Sequence, residues 1–261
     1  MKSLIPLLVL ASAVAGAVDI QKRIINGGDC GEDQGRHYVV LMRVKDDFNT
    51  RFCGGNLIGP DWVLTAGHCD KGDFYVILGA HPTKQGTTMH ITTGNVKHVY
   101  NADGHNHDIM LLKLPQTAPQ GLPIIQLPDV TCSSPTVNGD PYTIMGWSYT
   151  VYDAATKTYQ EKADKLQCET VHLHAACTGR NLHAADPKAA HKWVGQHMLC
   201  SRDPNAPKVC DSCPGDSGGS LVGQDGRLYG VIVSYNVPGS GLTLYMDVCA
   251  YRQWIRTETG I

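Results

Sequence analysis

From residue 24 onward the chain is a succession of short apolar runs separated by Gly, Pro, Asn and Asp. Residues 38–44, 52–58, 62–65, 74–79, 109–114, 142–147 and 228–234 have the length and the β-branched and aromatic content of strands. Long amphipathic helices are few. Asp186-Pro187 ahead of residues 188–194 reads as an N-cap followed by proline at the first helical position. Val248 to about Glu258 reads as a terminal helix. Many short strands with turn signals between them predict an all-β sandwich or barrel. The proline-rich segment 115–135 is the one expected boundary between halves, and neither an internal repeat nor a low-complexity tract interrupts the pattern.

The N-terminus follows a different pattern. Lys2 precedes an apolar run over residues 4–14, and Ala15-Gly16-Ala17 has the small-residue form of a cleavage site. That run is too short to span a bilayer and predicts a signal peptide over residues 1–17, hence a secreted, extracellular product. With 261 residues the chain is long enough for a sizeable core in one domain or two packed halves. A net charge of −2 without any basic block gives no reason to expect nucleic acid or a membrane surface as partner. Ten cysteines in an exported chain read as disulfides. Cys210-Asp-Ser-Cys213 has zinc-like spacing but no second pair to complete a site, so no metal and no cofactor is expected.

Three polar residues stand in distinctive settings. His68 follows Leu64-Thr65-Ala66-Gly67, Asp108 opens the apolar run 109–114, and Ser217 lies within Gly215-Asp216-Ser217-Gly218-Gly219. A serine hydroxyl is a poor nucleophile near neutral pH. It needs a base within hydrogen-bond reach, and the base needs a carboxylate that fixes its tautomer. In the order His, Asp, Ser, these motifs resemble those of the chymotrypsin/trypsin family of serine proteases, and the resemblance covers nearly all of residues 24–261.

The resemblance implies two antiparallel six-stranded β-barrels, one over roughly 24–129 and one over roughly 130–261, with the active site between them and a C-terminal helix. It makes His68, Asp108 and Ser217 the catalytic residues and the N–H groups of Gly215 and Ser217 the oxyanion hole. Ser234 borders the substrate. Lys22-Arg23-Ile24-Ile25-Asn26-Gly27 resembles an activation site, with 18–23 a propeptide and the freed Ile24 amino group pairing with Asp216. The family pattern pairs Cys30 with Cys168, Cys53 with Cys69, Cys132 with Cys249 and Cys177 with Cys200. It leaves Cys213 without its usual partner, because no cysteine lies between Ser217 and Cys249. A small Cys210–Cys213 ring or two free thiols are the open alternatives.

Specificity divides the same way. Asp211, six residues before Ser217, matches the floor of a pocket for Arg or Lys, and a buried carboxylate there is best compensated by a substrate cation. Asn236 and Thr243 stand where trypsins carry two wall glycines and predict a narrower pocket. The leading expectation is a zymogen-derived endopeptidase cleaving after Arg or Lys. Its partners are protein or peptide substrates, an activating protease and protein inhibitors, and it is expected to be a monomer. The alternatives are a narrowed, non-tryptic pocket and a catalytically silent binding or toxin homologue. His105 and His107, and likewise His172 and His174, read as surface histidines. Residues 80–92 contain no carboxylate for calcium.

Overall fold

The computed structural model describes residues 27–92, 95, 97–101, 106–136, 139–153, 156, 158–174, 197–202, 215–233 and 242–261. Strands are numbered in chain order. The first antiparallel sheet is built from β2 (Tyr38–Met42), β3 (Arg51–Gly59), β4 (Trp62–Thr65), β5 (Phe74–Leu78), β6 (Thr87–Ile91), β7 (Lys97–Asn101) and β8 (Asn106–Lys113), hydrogen-bonded in the order β6-β5-β2-β3-β4-β8-β7. The second contains β1 (Gly28–Asp29), β9 (Pro141–Gly146), β12 (Gln167–His172), β13 (Met198–Arg202), β14 (Ser220–Val222), β15 (Leu228–Val233) and β16 (Leu242–Asp247), in the order β1-β12-β9-β14-β15-β16-β13. A two-stranded ribbon, β10 (Tyr149–Asp153) and β11 (Thr158–Lys162), stands apart from both. Helix α1 (Val248–Thr259) ends the chain.

These are the two curled sheets and single terminal helix expected of the fold. The strand count adds detail to the expectation of six per barrel. An isolated antiparallel bridge, Leu173 to Ser201, joins the end of β12 to β13, and His174 N donates to Cys200 O at 2.8 Å. Six strands of the second sheet therefore close on themselves, and β1 is a short addition paired to the outside of β12. Among the described residues the first sheet has seven strands, one more than expected.

Burial explains the strands that were easy to read. β2, Tyr-Val-Val-Leu-Met, is buried at every position because sheet neighbours and core cover both faces. Ile144, Val171, Leu173, Leu199, Leu221, Ile232 and Tyr245 fill the second barrel. Helix α1 buries Val248, Tyr251, Arg252 and Ile255, spaced at helical intervals on one face. Asp247 caps it by accepting from Cys249 N at 3.0 Å, and Gly260 closes it in the left-handed conformation. Disulfides join Cys30 to Cys168, Cys53 to Cys69 and Cys132 to Cys249. Cys200 is also disulfide-bonded, while its expected partner Cys177, like Cys210 and Cys213, lies outside the described residues. The helix expected over 188–194 lies outside them too.

A buried polar chain stitches the two barrels together. Asn56 of β3 donates through Nδ2 to the carbonyls of Leu64 (3.2 Å) and Gly218 (2.9 Å). Its Oδ1 accepts from Ser220 Oγ at 2.6 Å. With its proton committed there, Ser220 Oγ accepts from His37 Nε2 at 3.1 Å, which makes His37 the neutral Nε2–H tautomer. Burial holds the His37 pKa down to about 4, from 6.5.

The sign of the resulting pH dependence follows from that shift. An unfolded chain protonates this imidazole near 6.5, whereas the folded protein resists protonation until about 4. The contribution of His37 is complete above pH 6.5 and is lost as pH falls through this window. The difference corresponds to about 3 kcal/mol. Urea unfolding is expected to show stability declining over this range. His37→Gln, which keeps a side-chain donor without a titrating ring, flattens that decline. An identical slope in the variant overturns the assignment.

Candidate active site

The first barrel supplies an imidazole and a carboxylate through strand register. β4 pairs with β8 so that Thr65 lies opposite Met110. Beyond Thr65 the chain turns through a 3₁₀ segment, Gly67–Cys69, alongside the start of β8. Gly67 is required at that approach, because a Cβ there lies 3.0 Å from His107 O and 3.2 Å from the Asp108 Cα.

The turn presents His68 to Asp108. Nδ1 lies 2.9 Å from Oδ2 and 3.0 Å from Oδ1, and the backbone N–H of His68 donates to Oδ1 at 2.7 Å. A carboxylate only accepts, so Nδ1 carries the proton and Nε2 is left with its lone pair. Asp108 is 5% exposed and the His68 side chain 30%, so the acid is sealed beneath the ring while the ring meets solvent.

The second barrel supplies the hydroxyl. The 215–219 loop folds through a turn in which Gly219 N donates to Asp216 O at 2.9 Å, and Gly218 N donates to Ile232 O at 2.7 Å. Gly218 has φ +84, and a Cβ there falls 2.1 Å from Gly54 O and 2.3 Å from Thr65 Oγ1. The loop is thus pressed against the first barrel. Gly54 N donates to Ser217 O at 2.7 Å, and Cys69 Sγ lies 3.9 Å from the same carbonyl. Cys69 directly follows His68 and is joined to Cys53, the residue before Gly54. Ser217 is therefore seated at the edge of the histidine turn. Among the described residues, the N–H groups of Gly215 and Ser217 donate to no group of the protein, whereas those of Gly218 and Gly219 do.

Asp216 is fully buried, its carboxylate packed against Gly146. Burial, and secondarily the charge of Asp216, push the Tyr38 phenol well above its usual range. Thr243 is 1% exposed in β16, opposite Ser201. Asp211, Ser234, Asn236, Arg23 and Ile24 lie outside the described residues. Cys53, His68 and Cys69 gather within ligand distance of one another, but the two sulfurs are bonded together and offer no thiolate to a metal.

One expectation is corrected. His107 is buried within β8, 2% exposed, and its Nδ1 lies 2.6 Å from the Tyr251 hydroxyl of α1. It occupies the strand position before Asp108, so the helix anchors the residue next to the carboxylate. His172 is exposed, and its partner is Gly139 O at 3.0 Å.

Comparison with known proteins agrees with this geometry. The trypsin family profile matches residues 25–255. Trypsin-1 of Gadus morhua is 32% identical over 270 aligned positions, covering 98% of this chain and 98% of that protein. Human kallikrein-8 is 31% identical, covering 97% and 94% respectively. A solved structure of neuropsin, described as a serine protease of mouse brain, superposes with a TM-score of 0.67 at 27% identity, covering 90% of this chain and 99% of that one.

The seating of the 215–219 loop has a direct test. Gly218→Ala must move the loop off Gly54 or strain it, and is expected to cost at least about 2 kcal/mol in urea unfolding. Gly226 also has a positive φ, +75, but has open space around it, so Gly226→Ala reports the backbone penalty alone. Equal losses in the two variants contradict the close approach.

Proposed function

We propose that this chain, which belongs to the trypsin family and is a serine endopeptidase, cleaves proteins after Arg or Lys through an acyl-enzyme on Ser217, once cut from its precursor after Arg23. The observation that carries the acyl-enzyme chemistry is the His68–Asp108 contact at 2.9 Å, which fixes the imidazole with Nε2 available as a base, on a turn whose Cys69 lies 3.9 Å from Ser217 O.

In this reading Nε2 takes the Ser217 proton as the oxygen attacks the scissile carbonyl. The charge that develops on the carbonyl oxygen is received by the N–H groups of Gly215 and Ser217, which have no protein acceptor among the described residues. Collapse of the tetrahedral species expels the amine, protonated by His68. Water then enters by the reverse sequence and releases the acid. Asp108 stabilises the imidazolium in each half-reaction.

Activation rests on the Lys22-Arg23-Ile24 sequence and on the burial of Asp216. The amino group released at Ile24 pairs with that carboxylate and orders the loop. The leader sequence and the disulfides support secretion, and no described helix is long and apolar enough to cross a membrane. Trypsin-like proteases act on proteins and are bound by protease inhibitors. For this chain an activating protease and a monomeric state are part of the proposal.

One observation favours a second reading of specificity. Thr243 is enclosed in β16, so its side chain adds bulk inside the second barrel wall where the family's trypsins have glycine. In that reading the triad is the same and the pocket admits a shorter side chain than arginine.

The experiments separate chemistry, activation and specificity. After cleavage at Arg23 the wild type is expected to react with a fluorophosphonate at Ser217. Ser217→Ala abolishes labelling and lowers kcat by roughly a million-fold. Absence of labelling in the activated wild type establishes the silent homologue instead. Arg23→Gln blocks activation by trypsin-like proteases, and full activity in the uncut variant overturns the zymogen reading. Asp211→Ser abolishes cleavage after Arg while sparing labelling; unchanged Arg cleavage favours the narrowed pocket.

A further inference from the structure

The stretch of β8 that carries Asp108 is the part of that strand the ladders hold least. Its pairing with β4 ends at Thr65–Met110. Against β7 the register shifts, and His107, Asp108 and Ile109 fall between the pairs Asn101–Asn106 and Val99–Met110. An irregularity of this kind re-aims a side chain and gives up ladder hydrogen bonds. Yet the histidine turn is built directly on this segment. His68 N donates to Asp108 Oδ1 at 2.7 Å, and a Cβ on Gly67 lies 3.0 Å from His107 O. Any error in the backbone of residues 107 and 108 is passed to the imidazole.

A constraint from outside the sheet takes the place of the ladder. The His107 ring, 2% exposed, meets Tyr251 of α1 edge to face with ring centres 5.6 Å apart, and its Nδ1 lies 2.6 Å from the phenol oxygen. The same oxygen accepts from His197 N at 3.3 Å. A phenol has one proton and two lone pairs, so after that bond it can still pair with the imidazole in either tautomer.

Tyr251 belongs to the other barrel. β16 runs straight into α1 at Asp247, whose N–H donates to His197 O at 3.0 Å. The backbone of His197 is thus gripped by the start of the helix and by the Tyr251 hydroxyl one turn on. Cys132–Cys249 and the 2.7 Å bond from Arg252 Nε to Pro128 O fix the same part of α1. Asp108 is therefore referenced to the second barrel, just as Ser217 is referenced to the first through Gly54 N.

We propose that His107 and Tyr251 are positioning residues for the reaction. The bond between them holds the irregular segment of β8 so that Asp108 keeps the His68 imidazole in register with Ser217. Both are buried and act through the carboxylate. The proposal rests on the endopeptidase reading above and is independent of what the specificity pocket accepts.

The test uses the full chain activated at Arg23. Its two readouts are the rate of fluorophosphonate reaction at Ser217 and the kcat and KM for a peptide amide that the wild type cleaves. Tyr251→Phe removes one oxygen from a ring that otherwise keeps its place. It is expected to lower the labelling rate and kcat about tenfold while KM stays within about twofold. His107→Leu is expected to do the same, and His107→Gln, which keeps a side-chain partner for the phenol, to recover most of the loss. The double variant Tyr251→Phe/His107→Leu loses no more than either single one. Val171→Ala, in the interior of the second barrel, is the control: it lowers the urea midpoint and leaves both rates unchanged. Losses that multiply in the double variant, or a fall in Val171→Ala equal to that in Tyr251→Phe, overturn the positioning role. Labelling of the wild type with an unchanged rate in Tyr251→Phe removes this proposal alone, whereas a wild type that neither labels nor cleaves removes the endopeptidase reading and this role with it.

Discussion

The structure turns on the contact between Gly54 N and Ser217 O, 2.7 Å long, where one barrel meets the other. The imidazole and its carboxylate are rigidly related because they sit on adjoining parts of one sheet. The hydroxyl comes from the other barrel, so nothing within either sheet fixes its distance from the base. A proton-transfer geometry tolerates errors well under an ångström before rate suffers, and the seam must supply that accuracy. It does so with polar groups that have directional partners: the Gly54 amide, the Asn56 side chain bonded to Leu64, Gly218 and Ser220, and the near-contact of Gly218 with Gly54 and Thr65. An apolar seam of equal area would hold the barrels together yet leave register free to slide.

That solution has a consequence for composition. An unpaired member of a buried polar seam is costly, and the Asn56 amide, the Ser220 hydroxyl and the His37 ring each have a partner here, though they are themselves costly to bury. His37 remains neutral over a pH range in which a free imidazole is charged. Arg51 is compensated by three backbone carbonyls at the start of β3 and near the ribbon. Cross-links add constraint where the polar network is thin. Cys53–Cys69 binds the histidine turn to the strand that meets Ser217, and Cys132–Cys249 ties the segment between the sheets to α1.

How much of this was legible depended on the kind of signal. The seven strands read from apolar runs all exist, with ends shifted by a few residues, because burial on both faces leaves a continuous hydrophobic stretch. Strands such as β6, Thr-Thr-Met-His-Ile, and β12, Gln-Cys-Glu-Thr-Val-His, were missed. They bury alternate positions and leave the others polar, and over five or six residues that alternation is hard to tell from a loop. His68, Asp108 and Ser217 could be singled out as candidates because each sits in a local motif. Arg51 and Lys162 carry no such mark. They are 111 residues apart and become neighbours only through a ribbon folded back onto β3. His107 was misread because an H-x-H spacing says nothing about which ring α1 will cover.

The economy of β3 shows why such relations escape local reading. Within six consecutive residues, Arg51 donates to three backbone carbonyls, Cys53 staples the histidine turn, Gly54 donates its N–H to the Ser217 carbonyl and Asn56 holds Gly218. A bulge at Phe52 sets Arg51 opposite Met42 and Cys53 opposite Leu41, while Gly54 and Asn56 lie opposite Val40 and Tyr38. A one-residue slip of β3 displaces all four from these partners together. Gly54 can accept no larger side chain, since a Cβ there meets the Tyr38 ring and hydroxyl. The register that builds the first barrel is thereby the register that aligns the chemistry, and selection on either holds the other in place.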